Sequence, residues 1–281
     1  MKIKKLISAL VLGSMLVGLS GCNITDFSAE NLLRPPKAVG DEAEIEQLIA
    51  KTADSGYTLK YPKNGKFRSA IIMTDLDGND SNEAVAFFRN SAETSSVHML
   101  VMYSKDNSWE IASDNIFETT DIDSVDFADL TGNGKAEIIV NSTTYTPNVG
   151  KLSCYSEGKT NEVGSGQSCS SFVTGDFDND GTSEIMSLVL YTTENEALAS
   201  MLDYNEDSKS LYAKAMANMD PNVVKYKNIA VTKLDNDITG IVVDGTSANE
   251  VTNTQVIFYS RDLAILRNPL FKEKAKNITR R

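Results

Sequence analysis

Asp75-Leu-Asp-Gly-Asn-Asp-Ser-Asn-Glu83 recurs without gaps along this chain. Its counterparts are Asp129-Leu-Thr-Gly-Asn-Gly-Lys-Ala-Glu137, Asp176-Phe-Asp-Asn-Asp-Gly-Thr-Ser-Glu184 and a degenerate Lys233-Leu-Asp-Asn-Asp-Ile-Thr-Gly-Ile241. The four starts lie 54, 47 and 57 residues apart, an interval that suits one four-stranded sheet with its turns per repeat. Apolar, partly β-branched runs flank the loops. Ala70–Met73, Val125–Phe127 and Phe172–Val173 precede them, and Ala84–Phe88, Ile138–Val140, Ile185–Leu190 and Ile241–Val243 follow. Such runs bounded by turn residues read as strands. Further strand candidates at Val97–Tyr103, Trp109–Ala112, Leu198–Tyr204 and Thr254–Tyr259 bring the count to about four per interval. The fold class is therefore all-β.

Oxygen side chains at loop positions 1, 3, 5 and 9, with Gly at 4 or 6 for the tight turn and a carbonyl from position 7, place hard ligands around one point. That donor set suits calcium. The first loop offers Asp75, Asp77, Asn79 and Glu83 with the carbonyl of Ser81, and the third offers Asp176, Asp178, Asp180 and Glu184 with that of Thr182. The second offers Asp129, Thr131, Asn133 and Glu137 with the carbonyl of Lys135; having two carboxylates, it should bind most weakly. In the fourth, Lys233 and Ile241 stand at positions 1 and 9, which excludes it and leaves up to three structural Ca²⁺ sites. An EF-hand would close with Glu at position 12 between helices, so it does not fit. Position 2 is apolar in all four repeats (Leu76, Leu130, Phe177, Leu234) and reads as a core anchor.

Working outward, residues 1–21 carry Lys2, Lys4 and Lys5 ahead of an apolar stretch from Leu6 to Leu19. That stretch is shorter than the roughly 20 residues of a spanning helix, and it reads as an export signal. It ends in Leu19-Ser20-Gly21-Cys22, which resembles a bacterial lipoprotein signal and implies diacylation of Cys22. Residues 22–40, with Pro35-Pro36, read as a tether. Residues 41–56 should hold a short helix: Ile45, Leu48, Ile49 and Ala53 recur at helical spacing, acids fill the first turn, and Gly56 is a stop. Residues 57–281 hold the repeats.

The nine-residue loops between strands resemble the FG-GAP/VCBS repeats of β-propellers, with calcium loops of the integrin α-subunit type. Leu59-Lys-Tyr-Pro62, Asp75-Leu-Asp-Gly78, Glu83-Ala-Val-Ala-Phe-Phe88, Trp109, Glu137-Ile-Ile-Val140 and Gly240-Ile-Val-Val-Asp244 further resemble VCBS-repeat lipoproteins of Gram-positive, clostridia-like bacteria. The resemblance implies a β-propeller. Such propellers usually have about seven blades, so about four here imply either a small ring or, as favoured, part of a longer chain. It also implies a lipid-anchored protein on the outer side of the cell membrane, whose propeller is a noncatalytic binding, adhesion or scaffold module for an extracellular protein or glycan. The alternative is a propeller module of a secreted polysaccharide- or cell-wall-acting enzyme system, and a third reading is a bare structural propeller whose acidic loops are metal-free Asx turns.

Composition narrows the chemistry. The net charge of −12 argues against nucleic acid as a partner. The single histidine, His98, removes His-rich zinc sites and HExxH proteases, and in Val97–Tyr103 it reads as a strand residue. Twelve of the 39 acids fall in the four loops, so cation ligation accounts for much of the charge. Carboxylate pairs inside these turns do not resemble a glycosidase pair, which comes from separate elements across a cleft. Trp109 reads as an edge or core aromatic, with sugar stacking as the sharper alternative. Cys154 and Cys169, with Gly158, Gly164 and Gly166 between them, either meet across a hairpin as a disulfide or remain thiols.

Overall fold

The computed structural model describes residues 40–53, 56–156, 161–192, 196–235 and 238–269. Residues 1–39, including Cys22 and most of the expected tether, lie outside them. Among the described residues are one helix, α1 (Asp41–Ala53), and seventeen strands in four antiparallel sheets, each built from consecutive chain. The first sheet holds β1 (Tyr57–Leu59), β2 (Ile71–Thr74), β3 (Glu83–Asn90), β4 (Val97–Lys105) and β5 (Ser108–Phe117), with β1 and β2 sharing one edge of β3. The second runs β6 (Ile122–Ala128), β7 (Glu137–Thr143), β8 (Gly150–Ser156), β9 (Asn161–Cys169). The third is β10 (Ser171–Gly175), β11 (Glu184–Tyr191), β12 (Glu196–Asn205), β13 (Ser210–Asn218). The fourth is β14 (Val223–Asp235), β15 (Ile238–Ser247), β16 (Thr252–Ser260), β17 (Ile265–Arg267).

Period-two alternation stacks these sheets face to face. On β3, Val85 and Phe87 point to one side, where they meet Val97, Met99 and Val101 and then Ile122, Val125, Ile138 and Val140 of the second sheet. Ala84, Ala86 and Phe88 point to the other side, where α1 covers them with Ile45, Ile49 and Ala53. Burial on both faces explains why residues 84–88 read as an unbroken apolar run. The second and third sheets meet through Leu130, Ile139, Leu152, Phe172, Ile185 and Leu202. Met186, Leu188, Ala199 and Met201 of the third face Val223, Tyr226, Ile241 and Ile257 of the fourth. The first strands of the last three sheets, β6, β10 and β14, neighbour one another, and Thr174 Oγ1 on β10 donates to Asp126 Oδ2 on β6 at 2.9 Å.

The described helix spans Asp41–Ala53, and its apolar side chains are spent on the first sheet. Trp109 is buried in that same cluster, so it is a core aromatic with no free face for a sugar. The cysteine hairpin also differs from the disulfide expectation. Gly164 and Gly166 lie within β9 rather than in its turn, and a Cβ at Gly164 would stand 2.9 Å from Leu211 Cδ1, so glycine there permits close packing. The register pairs Cys154 with Gly164 and Cys169 with Gly150. The cysteines therefore sit about 13 Å apart along β8 at 3.3 Å per residue, too far to bridge, and both are buried thiols.

Because Ile49 is fully buried at the centre of the helix–sheet contact, Ile49→Ala should cost about 2–5 kcal/mol in urea unfolding. Ile116→Ala, at a 58% exposed site, should stay within about 0.5 kcal/mol.

Candidate metal centres

Each of the first three loops is a fixed device hung between paired strands. Thr74 pairs with Glu83, Ala128 with Glu137 and Gly175 with Glu184, so the position-9 glutamate opens the returning strand opposite the residue that precedes the loop. One glutamate oxygen then reaches back under the loop. Glu83, Glu137 and Glu184 each accept, through Oε2 at 2.7 Å, the backbone N–H of Leu76, Leu130 and Phe177. The same position-2 side chains are buried. Apolar anchor and carboxylate thus hold one residue from two directions.

The position-1 aspartate organises the rest. Asp75 Oδ1 accepts from the Gly78 and Asn79 N–H groups and Oδ2 from Asp80. Asp129 repeats the pattern with Gly132, Asn133 and Gly134, and Asp176 takes Asp180 and Gly181. Position 5 folds onto position 7: Asn79, Asn133 and Asp180 accept from the N–H of Ser81, Lys135 and Thr182 at 2.7, 2.8 and 2.8 Å. Positions 4 and 6 both have positive φ in all three loops, occupied by Gly78 and Asp80, Gly132 and Gly134, Asn179 and Gly181. Asn and Asp tolerate that region better than other side chains, which explains how one glycine per loop suffices in the first and third.

Two loops bring three or more acids to a point. Asp176, Asp178, Asp180 and Glu184 offer one oxygen each within 4.8 Å of one another, and Asp75, Asp77 and Glu83 do the same. The second loop offers Asp129 and Glu137, whose Oε1 is already taken by Ser156 Oγ at 3.1 Å and Thr131 Oγ1 at 3.3 Å. Glu184 contrasts with it. That residue is fully buried, yet its Oε1 has no hydrogen-bond partner among the described residues. Burial, reinforced by the charges of Asp178, Asp180 and Asp203, pushes its carboxyl up to about 8. Burial also raises the carboxyls of Glu83 and Glu137. An unpaired carboxylate in such a place costs several kcal/mol unless a proton or cation meets it. The donor set is all oxygen, so a hard divalent cation fits.

Lysine 214 is a participant that the loop pattern does not contain. It reaches from β13 to Asp178 Oδ2 at 2.5 Å and Asp203 Oδ2 at 2.7 Å. Burial works against its charge, but those two carboxylates hold the ammonium above its ordinary value. A lysine 36 residues beyond its partner carries no signal in sequence. The loops are also tied to one another. Ala136 N donates to Leu76 O at 2.8 Å and Ser183 N to Asp129 O at 2.9 Å, and a Cβ on Gly78 would stand 2.8 Å from Gly134 O.

The described residues of the fourth repeat continue as strand. Pairing runs on through Lys233↔Thr239 to Asp235↔Ile238, so strand pairing takes the place of the nine-residue turn. Leu234 is 39% exposed, and the anchor role expected at position 2 therefore holds for three repeats only. Arg261 instead reaches the third loop, donating from Nη2 to Asn179 O at 2.8 Å. His98 lies in β4 as expected, stacked on Phe88 with its centroid 4.8 Å away, and its Nδ1 meets Asp114 at 3.0 Å. No protein-family model matches the chain, and no curated protein matches it.

The buried glutamate sets a pH dependence whose sign is definite. In chelator, folded Glu184 holds its proton to about pH 8 while an unfolded glutamate loses it near pH 4.3. The folded state therefore binds more protons in that window, and stability falls as pH rises through it. Glu184→Gln, which places an amide where the proton would be, should flatten that fall and raise the chelator-state melting temperature at pH 8. An unchanged pH profile would contradict the assignment.

Proposed function

We propose that the described sheets are successive blades of a propeller-like arc, stabilised by calcium and displayed outside the cell by a lipid on Cys22 as a noncatalytic binding or adhesion module. Supporting the blade reading, the last three sheets are meanders of four consecutive strands and the first is one from β2 to β5, neighbouring sheets pack face to face, and β10 lies beside both β6 and β14. The export reading rests on the basic start, the short apolar stretch and Ser20-Gly21-Cys22. Two acyl chains on that cysteine are enough for stable anchoring.

The observation that carries the calcium reading is Glu184 Oε1, buried without a partner beside three aspartates. Asp176, Asp178, Asp180 and Glu184 would hold the ion in the third loop, and Asp75, Asp77 and Glu83, with Asn79, in the first. A divalent cation supplies positive charge where carboxylates otherwise repel, and so stiffens the turn between two strands. The second loop, with Glu137 satisfied by hydroxyls, stays closed without one. Calcium is structural in this reading: the acids sit in turns between paired strands.

A hundredfold excess of calcium over its Kd should raise the melting temperature by about 5–10 °C for each site filled, from about 2.7 kcal/mol per site and ~2–4 °C per kcal/mol in a chain of this size. A chelator should reverse the rise. Glu184→Gln should remove the larger part and Glu83→Gln a smaller part, and no response of the parent protein to calcium would sink the metal assignment. In cell fractionation, Cys22→Ser should move the protein out of the membrane fraction; retention would count against the anchor.

A further inference from the structure

The sheet ends away from the acidic loops enclose a cleft of about 590 Å³, within the ~300–1,000 Å³ usual for small-molecule sites. Strand β6 begins beside the cleft, which Asp123 lines, and leaves at Ala128 into the second loop, so cleft and loops occupy opposite ends of the same strands. The last residues of β7 and the first of β14 complete the wall.

Two polar groups lining the cleft are left over. Asn141 is fully buried; its Nδ2 donates to Asp123 Oδ2 at 3.3 Å, while Oδ1 has no partner among the described residues. The Tyr226 hydroxyl, on a side chain 9% exposed, has none either. Asp123 cannot serve them further, since it also accepts from Asn64 Nδ2 at 2.8 Å and Ser124 Oγ at 3.1 Å. Gly150 makes room for the amide: a Cβ there would stand 2.2 Å from Asn141 Oδ1.

Charge and rim chemistry point to a ligand class. The chain carries −12, yet Lys63, Lys225 and Lys227 line the cleft against Asp123 as its one acid. Lys63 is paired with Asp121. Lys225 and Lys227 are exposed and show no ion pair among the described residues. Hydroxyl and amide groups of Asn64, Thr143, Thr144, Thr146 and Asn148 line the rest of the wall and suit a ligand rich in hydroxyls.

We propose that this cleft binds a carboxylated saccharide: Lys225 and Lys227 meet the carboxylate, and Asn141 and Tyr226 take sugar hydroxyls. The proposal rests on the binding-module reading above and gives it a site. The test is isothermal titration of the full chain in excess calcium with glucuronate, galacturonate and N-acetylmuramate, their uncharged parent sugars and inorganic phosphate. At least one acidic sugar should bind roughly tenfold more tightly than its parent, a difference of about 1.4 kcal/mol. Lys225→Gln/Lys227→Gln should erase that difference with the melting temperature unchanged, and Tyr226→Phe, which removes only the hydroxyl, should weaken acidic and neutral sugars alike. Failure of every acidic sugar to bind, binding that both variants leave intact, or phosphate binding as tightly as the sugars overturns the proposal. Another glycan or protein that binds the chain regardless of these variants would overturn this site while leaving the binding-module reading in place.

Discussion

A glutamate oxygen buried beneath each loop, bonded to the N–H seven residues before it, is the contact on which the repeat depends. It closes the turn from below, forces the position-2 side chain into the core, and sets the register of the two strands it joins. Its cost is a carboxylate in a poorly solvated place. The three loops meet that cost differently: Glu83 stays partly exposed, Glu137 is met by two hydroxyls, and Glu184 is left with an unmatched oxygen among acids. The calcium proposal follows from the third of these, and the contrast with the second explains why the same motif need not hold an ion each time it appears.

Coupling between repeats runs along two routes. Through the layers, β-strand alternation gives each central strand two buried faces, so β3, β7 and β11 are buried over most of their length and each sheet is a wall for the next. Along the loop end, backbone hydrogen bonds link the first loop to the second and the second to the third, and Arg261 takes the place of a fourth. Local strain at positions 4 and 6 is held by these bonds, because left-handed residues there aim the N–H groups at the position-1 aspartate.

Much of this was legible in the chain itself. Ligand spacing, the apolar second position and the flanking runs are local features, and they located nine-residue turns between strands correctly at Asp75, Asp129 and Asp176. Strand β9 was not legible, because Gly164 and Gly166 read as a turn; the nearness of Leu211 explains the first and a left-handed backbone the second. The sequence left disulfide and thiols open for Cys154 and Cys169, and the register of β8 and β9 decides for thiols. Leu234 looked like its three counterparts, yet without the glutamate there is nothing to draw its backbone inward, and the segment continues as strand.

The sequence alone determined what can be written in nine residues or in an alternation of two: an all-β chain, a repeated acidic turn, an apolar helix face and a basic, apolar start ending in Cys22. Tertiary structure alone decided which carboxylates stay unmatched, since Lys214 and Ser156 reach Asp178 and Glu137 from other strands. It also decided that Asn141, Lys225, Tyr226 and Lys227 gather about one cleft. The physical reason is distance along the chain: a hydrogen bond or an ion pair needs atoms within a few ångströms, and residues dozens apart in sequence are brought that close only by the stacking of the sheets.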